Sequence, residues 1–247
     1  MTDRRELPML PDFAGGTSFT ATRRVRWGDG DRVRRLRLDA AARYLQDVAN
    51  DDTRAVGPAS SEAWIARRTI IVVHEPAQVG ELLSLTTFCG GLGSRWADRR
   101  TSIVGDGGGH LECSGLWIRF DPATGRPARL DDAFLALYAD FTGDRKVPAR
   151  LHHDPVAPGA THRPWPLRST DLDGLDHVNN AATWEAVEDE LARRGILPNW
   201  CELEHREAIA PEDEVTLSSC LDPDGALLLW LTVAGAVRAS AVVHARP

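Results

Sequence analysis

Between residues 170 and 184 the chain reads TDLDGLDHVNNAATW, which sets Asp171, Asp173, Asp176, His177, Asn179 and Asn180 just ahead of a helix-like run. Carboxylates and imidazoles are the side chains that take a proton from water near neutral pH. A helix start supplies a second requirement of acyl transfer. Its first amides lack intrahelical partners and carry about half a positive charge, so they can hold a carbonyl oxygen as it becomes an oxyanion. Asp173 with His177 is therefore a candidate pair for activating water, and the amides near Val178 and Asn179 are candidate oxyanion donors. A thioester suits such a site, because its carbonyl is electrophilic and a thiolate leaves readily. The competing reading is local. Aspartate and asparagine before a helix are what turns and caps require, and Asp171, Asp176 and Asn180 are read that way. For His177 the two readings stand level.

A poorer version of the stretch, RWGDGDRVRRLRLDAAARYL, begins at Arg26. Asp29 and Asp31 answer Asp171 and Asp173, but Arg34 and Arg35 stand near the place of the histidine. An arginine cannot act as a base. Each copy runs into a predicted helix. The first, Asp39 to about Val56, puts Tyr44, Leu45, Val48 and Ala49 on one face; the second, Asn180 to about Arg194, aligns Ala181, Trp184, Val187, Glu188 and Leu191. Asp39 and Asn179 or Asn180 are suited to be N-caps. Glu188, inside that apolar stripe, is an auxiliary candidate set against a partly exposed helix edge.

Strands are expected after each helix, with Glu75 and Glu207 each six residues before an acidic residue, Glu81 and Asp213. Hairpins follow, one turning on glycines 107–109 and one at Ala234-Gly235. A short helix over Asp132–Phe141 and a Pro/Gly connector separate the halves. The expected organisation is a first domain over 1–145, a linker over 146–163 and a second domain over 164–247. Each domain is one helix against a mostly antiparallel sheet, an α+β arrangement used twice.

The chain has 247 residues, 43% of them hydrophobic, enough for real cores, and its net charge of −7 argues against a general nucleic-acid-binding surface. No apolar run reaches the roughly 18 residues of a membrane span. The N-terminal MTDRRELPML has no apolar h-region after it, so no secretion signal is expected and a cytoplasmic setting follows. Cys89, Cys113, Cys201 and Cys220 show neither metal-ligand nor disulfide spacing and are read as buried thiols. No HExxH occurs, and no metal or redox cofactor is implied. The adjacent His152 and His153 fall in the Pro-rich connector and are expected to be exposed. The eight tryptophans are expected mostly in the core, with Trp184 a residue that could touch an acyl chain.

One helix on a curved sheet, preceded by a loop of Asp, His and Asn, resembles the hot-dog fold. Two tandem hot-dog domains, each a curved antiparallel sheet wrapped on one central helix, would mimic the homodimer that single units form. TDLDGLDHVNNAATW resembles the Asp-x-Asp-x-x-x-His-Val-Asn-Asn segment of hot-dog acyl thioesterases, particularly the acyl-ACP thioesterase family of bacteria and plants, over essentially the whole chain. RRVRWGDGD is similar to the first strand of single-domain acyl-CoA thioesterases, whose second Asp is catalytic; here it is Asp31. The resemblance implies Asp173 as the catalytic carboxylate and His177 as its partner, hydrolysing fatty acyl thioesters in fatty acid biosynthesis. It implies a first half that lines the acyl pocket or receives the phosphopantetheine.

Two departures bear on mechanism. Leu175 stands where the family often has Asn, and the Glu-Cys pair of plant members falls on Ala208 and Ile209. A cysteine nucleophile is thus not available there, Cys201 is a poor substitute, and attack by water or a transient anhydride on Asp173 remains. Asn179, Glu188 and Glu207 are auxiliary candidates, Glu207 as a second base. The implied partner is an acyl carrier protein or CoA thioester, handled by a monomeric pseudo-dimer or a homodimer. The alternatives are an acyl-CoA thioesterase or a non-catalytic acyl- or acyl-carrier-binding protein. A hot-dog dehydratase is a weaker match, since its Asp-x-Asn-Pro-x-His signature is absent.

Overall fold

A computed structural model of the chain describes residues 18–56, 63–121, 123–142, 145 and 147–246. The MTDRRELPML stretch, read above as no secretion signal, lies outside them. The chain divides into two compact units. The first holds the described residues up to Leu36 and from Tyr44 to Arg150; the second holds Arg37–Arg43 and the chain from Leu151 onward.

In the first unit, strands β1 (Ser18–Arg24), β2 (Ala63–Glu75), β3 (Leu82–Leu92), β4 (Trp96–Gly105) and β5 (His110–Asp121) form an antiparallel sheet in the order β1-β3-β4-β5-β2. The short β6 (Arg126–Pro127) pairs with β5. Alternation explains β3: Leu83 and Leu85 are fully buried while Leu82 and Ser84 face outward. The β4–β5 turn needs its glycines, since a Cβ on Gly109 would stand 2.6 Å from Ala77. Helix α1 (Leu38–Val56) belongs to this unit from Tyr44 onward, where it buries Tyr44 and Val48 and half-buries Leu45 and Ala49. Helix α2 (Asp132–Thr142) packs Phe134 and Tyr138 with Cys89, Ala97 and Leu130, and Phe134 meets the Trp64 ring at 5.2 Å.

In the second unit, β7 (Thr161–Pro164), β8 (Pro198–His205), β9 (Val215–Leu221), β10 (Leu227–Val233) and β11 (Ala236–Ala245) run antiparallel in the order β8-β11-β10-β9-β7. The β10–β11 hairpin turns on Ala234 (φ 48°) and Gly235 (φ 80°), the left-handed pair a two-residue turn demands. Helix α3 (Asn180–Arg194) opens on Asn179, whose side chain accepts from the Ala181 amide, and ends on Gly195 in the left-handed region. Its stripe of Ala181, Trp184, Val187, Glu188 and Leu191 is buried throughout. Both units are therefore α+β.

Several expectations need correction. Helix α1 begins at Leu38, so Asp39 is not its cap; it lies inside the first turn, fully buried, held by Arg37 at 2.8 Å and Arg43 at 2.6 Å. Burial pushes the Asp39 carboxyl up, but these two guanidinium groups outweigh it and hold it below the usual carboxylate range. Trp27 is 75% exposed, with the Arg34 guanidinium 5.0 Å from its ring, whereas Trp184, Trp200 and Trp230 are buried. His153 is not exposed: its side chain retains 4% of its surface. Among the described residues no helix is long and apolar enough to cross a membrane.

Candidate active site

The Asp-rich loops of the two halves have one backbone design. In each, a short 3-10 turn ends in an aspartate, Asp29 or Asp171, whose carboxylate accepts from the amide three residues back, Arg26 at 2.8 Å or Arg168 at 2.9 Å. Two residues on, the Asp31 amide donates to the Arg35 carbonyl and the Asp173 amide to the His177 carbonyl, both at 2.8 Å. The intervening turn requires a left-handed residue, filled by Arg34 (φ 72°) and by Asp176 (φ 60°). The strand side is also repeated: Leu36 N–H donates to Ala77 O, and Val178 N–H to Ile209 O. Acidic caps close the far turn, Glu81 on the Gln78 amide and Asp213 on the Ala210 amide.

The side chains differ where chemistry would occur. Asp31 Oδ1 accepts the Val33 and Arg35 amides, and its Oδ2 is bound by Arg35 Nε at 3.0 Å. Arg35 is 6% exposed and also donates to Leu36 O. Asp173 Oδ1 accepts the Leu175 amide at 2.8 Å and the His177 amide at 3.4 Å. Among the described residues its Oδ2 takes part in no hydrogen bond or ion pair. His177 is exposed, and no bond joins its ring to Asp173; the two share a turn rather than a contact.

The expected oxyanion donors are corrected. Val178 N–H is spent on Ile209 O at 2.9 Å and Asn179 N–H on Asp171 O at 2.8 Å. These bonds close the loop against its neighbours, so neither amide is left for a ligand. The first-turn amides of Asn180 and Ala182, which have no helical carbonyl four residues earlier, take their place as candidates. The Asn179 side chain is the α3 cap.

The auxiliary carboxylates fare differently. Glu188 is 6% exposed, not an exposed edge, and accepts the Leu38 amide at 2.5 Å. Glu207 is exposed and paired with Arg238. Cys201 is fully buried in β8, and burial pushes the Cys89 thiol up to about 12, so neither is a ready nucleophile. Sequence reasoning missed Arg168, which holds Asp171 at 2.9 Å and also reaches Glu185; the matching Arg26 before the first Asp pair was the available signal. It also did not locate a cavity of about 260 Å³ in the first unit, where Trp64, Trp117 and Phe134 meet polar groups that include Asn50, Asp98 and Arg99.

The family model for the acyl-ACP thioesterase N-terminal domain matches residues 16–138. Uncharacterized protein Rv2001 of Mycobacterium tuberculosis is 30% identical over 242 residues, covering 97% of this chain and 96% of the relative. Solved structures share the fold, two of them thioesterases named for ACP substrates. The 12:0-ACP thioesterase from Umbellularia californica superposes with a TM-score of 0.78 at 16% identity, covering 94% of this chain and 98% of that one. An acyl-ACP thioesterase from Bacteroides thetaiotaomicron gives 0.77 at 16% identity, covering 92% and 96%.

Proposed function

The chain belongs to the acyl-ACP thioesterase family, and from that premise we propose that it hydrolyses fatty acyl thioesters, acyl-ACP first among them, to free fatty acid and carrier thiol. We read the halves as two hot-dog domains, 1–145 and 164–247 with a linker at 146–163, the second carrying the reacting groups. The setting we infer is cytoplasmic.

The observation that carries this reading is the unengaged Oδ2 of Asp173, set against the engaged Oδ2 of Asp31. A carboxylate pinned through one oxygen and open at the other is held in place yet able to accept a proton from water. The water oxygen then bonds to the thioester carbonyl carbon. The resulting oxyanion is held by the α3 first-turn amides, at Asn180 and Ala182, with the positive end of the helix behind them. Collapse breaks the C–S bond, and the proton taken from water passes to the departing thiolate with His177 as its carrier.

The test is hydrolysis of a panel of acyl-ACP and acyl-CoA thioesters by the wild-type protein and Asp173→Asn. Turnover that survives the substitution unchanged removes Asp173 from the mechanism. A second reading, an acyl- or acyl-carrier-binding protein without catalysis, is favoured by the occupied Val178 and Asn179 amides. Tight binding of the panel with no product from the wild type would establish it instead.

A further inference from the structure

Strand β8, at the end of the second unit's strand order, carries Glu202 and Glu204 on one face, 3% and 0% exposed. Two carboxylates buried side by side are costly unless cations or donors meet them. Glu204 is met by donors: it accepts the amides of His152 at 2.7 Å and His153 at 3.2 Å, with Arg206 at 3.5 Å. At Glu202, the Oε2 atom faces two imidazole nitrogens, His152 Nε2 at 3.2 Å and His153 Nε2 at 3.8 Å.

The state of His153 is informative. Its Nδ1 lies 3.0 Å from Ser240 Oγ, while its buried Nε2 makes no hydrogen bond among the described residues. In the tautomer whose Nδ1–H donates to Ser240 Oγ, the Nε2 lone pair is turned toward the Glu202 carboxylate, a place that suits a cation. His152 brings a second nitrogen to the same place, with its Nδ1 3.3 Å from Glu204 Oε1. One donor atom from each of the four residues lies within 4.8 Å of all the others. Ligands about 2.0–2.2 Å from a tetrahedral ion need only a small inward movement from that spread.

We propose that His152, His153, Glu202 and Glu204 form a structural divalent-cation site of the zinc type. Two imidazoles with carboxylates select zinc over magnesium or calcium, which prefer all-oxygen shells. Glu202 and the two histidines are the principal ligands; Glu204, already shared with backbone amides and Arg206, completes the set. The ion ties the chain at its entry to the second unit onto β8. The site uses none of the groups assigned to thioester hydrolysis, so it stands or falls independently of that reading.

Chelator-treated full-length protein titrated with Zn²⁺ by calorimetry, and with Co²⁺ by visible absorption, tests it. One saturable equivalent with tetrahedral Co²⁺ bands is expected, lost in both His152→Asn and His153→Ala. His152 is partly exposed, so His152→Asn keeps the fold, which circular dichroism checks. Ser240→Ala, by releasing the His153 ring, is expected to weaken Zn²⁺ about tenfold. Absence of saturable binding, or an equivalent and spectrum retained in both histidine variants, overturns the proposal.

Discussion

The loops at 26–38 and 168–180 are the same piece of backbone with opposite uses for one carboxylate. Both place an aspartate, Asp31 or Asp173, at the head of a turn closed by the carbonyl four residues on, and both hold a non-glycine residue at positive φ. In the first loop a buried arginine fills the turn and takes the free carboxylate oxygen. In the second, histidine stands there, exposed, and the oxygen stays open. The lesson is that this loop is a holder first. Which side chain follows four residues later decides whether the second oxygen of the held carboxylate is paired, as in Asp31, or left open, as in Asp173.

That comparison breaks most sharply at the aspartates themselves. Asp173→Asn is expected to lower kcat/KM by at least about 100-fold, the usual scale for losing a general base, without shifting the melting temperature. Steady-state hydrolysis alongside calorimetry checks both halves, and a variant that is inactive because it is unfolded would not count in favour. His177→Arg rewrites the second loop toward the first. Its expected cost is on the order of 10–100-fold in kcat, with stability within roughly 0.5 kcal/mol because the side chain is exposed. Retention of full activity would strip the histidine of a chemical role.

The reverse outcome is expected for Asp31→Asn: hydrolysis kept, stability reduced by about 2 kcal/mol, because buried Arg35 loses its carboxylate partner. The figure is below that for a fully buried pair since Asp31 retains 22% of its side-chain surface. Urea unfolding measures it, and a neutral result would show that the first loop does not depend on its ion pair. Asn179→Ala is expected to cost about 1 kcal/mol by uncapping α3. If it also slows turnover, the cap positions the amides ahead of the reacting carbonyl.

The mildest effect is on acid stability. Burial would raise the Glu190 carboxyl, but the Ser219 hydroxyl, Arg194 and Arg163 more than reverse this, so the folded value lies below the unfolded one. Its contribution is complete above the ordinary glutamate value of 4.5 and fades as pH falls through the lower folded value. Glu190→Gln should therefore flatten the loss of melting temperature on acidification below that point. An unchanged acid limb would locate the sensitivity elsewhere, for instance at Asp39, which is displaced in the same direction.

Much of the site was legible because its signals are local. The three-residue step from Asp173 to Asp176 and the four-residue step to His177 are a turn's own dimensions, and the 3.6-residue stripe of α3 announced which side is buried. The duplicated pair, Asp29 with Asp31 and Asp171 with Asp173, is visible in the sequence itself. What failed were statements about partners far along the chain. Ile209 O, which consumes the Val178 amide, comes from a turn 31 residues away, and Leu38 N–H, which occupies Glu188, comes from 150 residues away.

The sequence alone thus determined the two-fold α+β plan, the helix that follows each Asp-rich loop, and Asp173 with His177 as the residues to test. These depend on periodicity and capping, which are written in neighbouring residues. Only the tertiary structure decided which polar groups remain open: Asp173 Oδ2 is, while Asp31 Oδ2 and the Val178 and Asn179 amides are not. It also buried His153 beside Glu202 and Glu204. A hydrogen bond is completed by whatever the fold brings within about 3 Å, and that neighbour carries no mark in the local sequence.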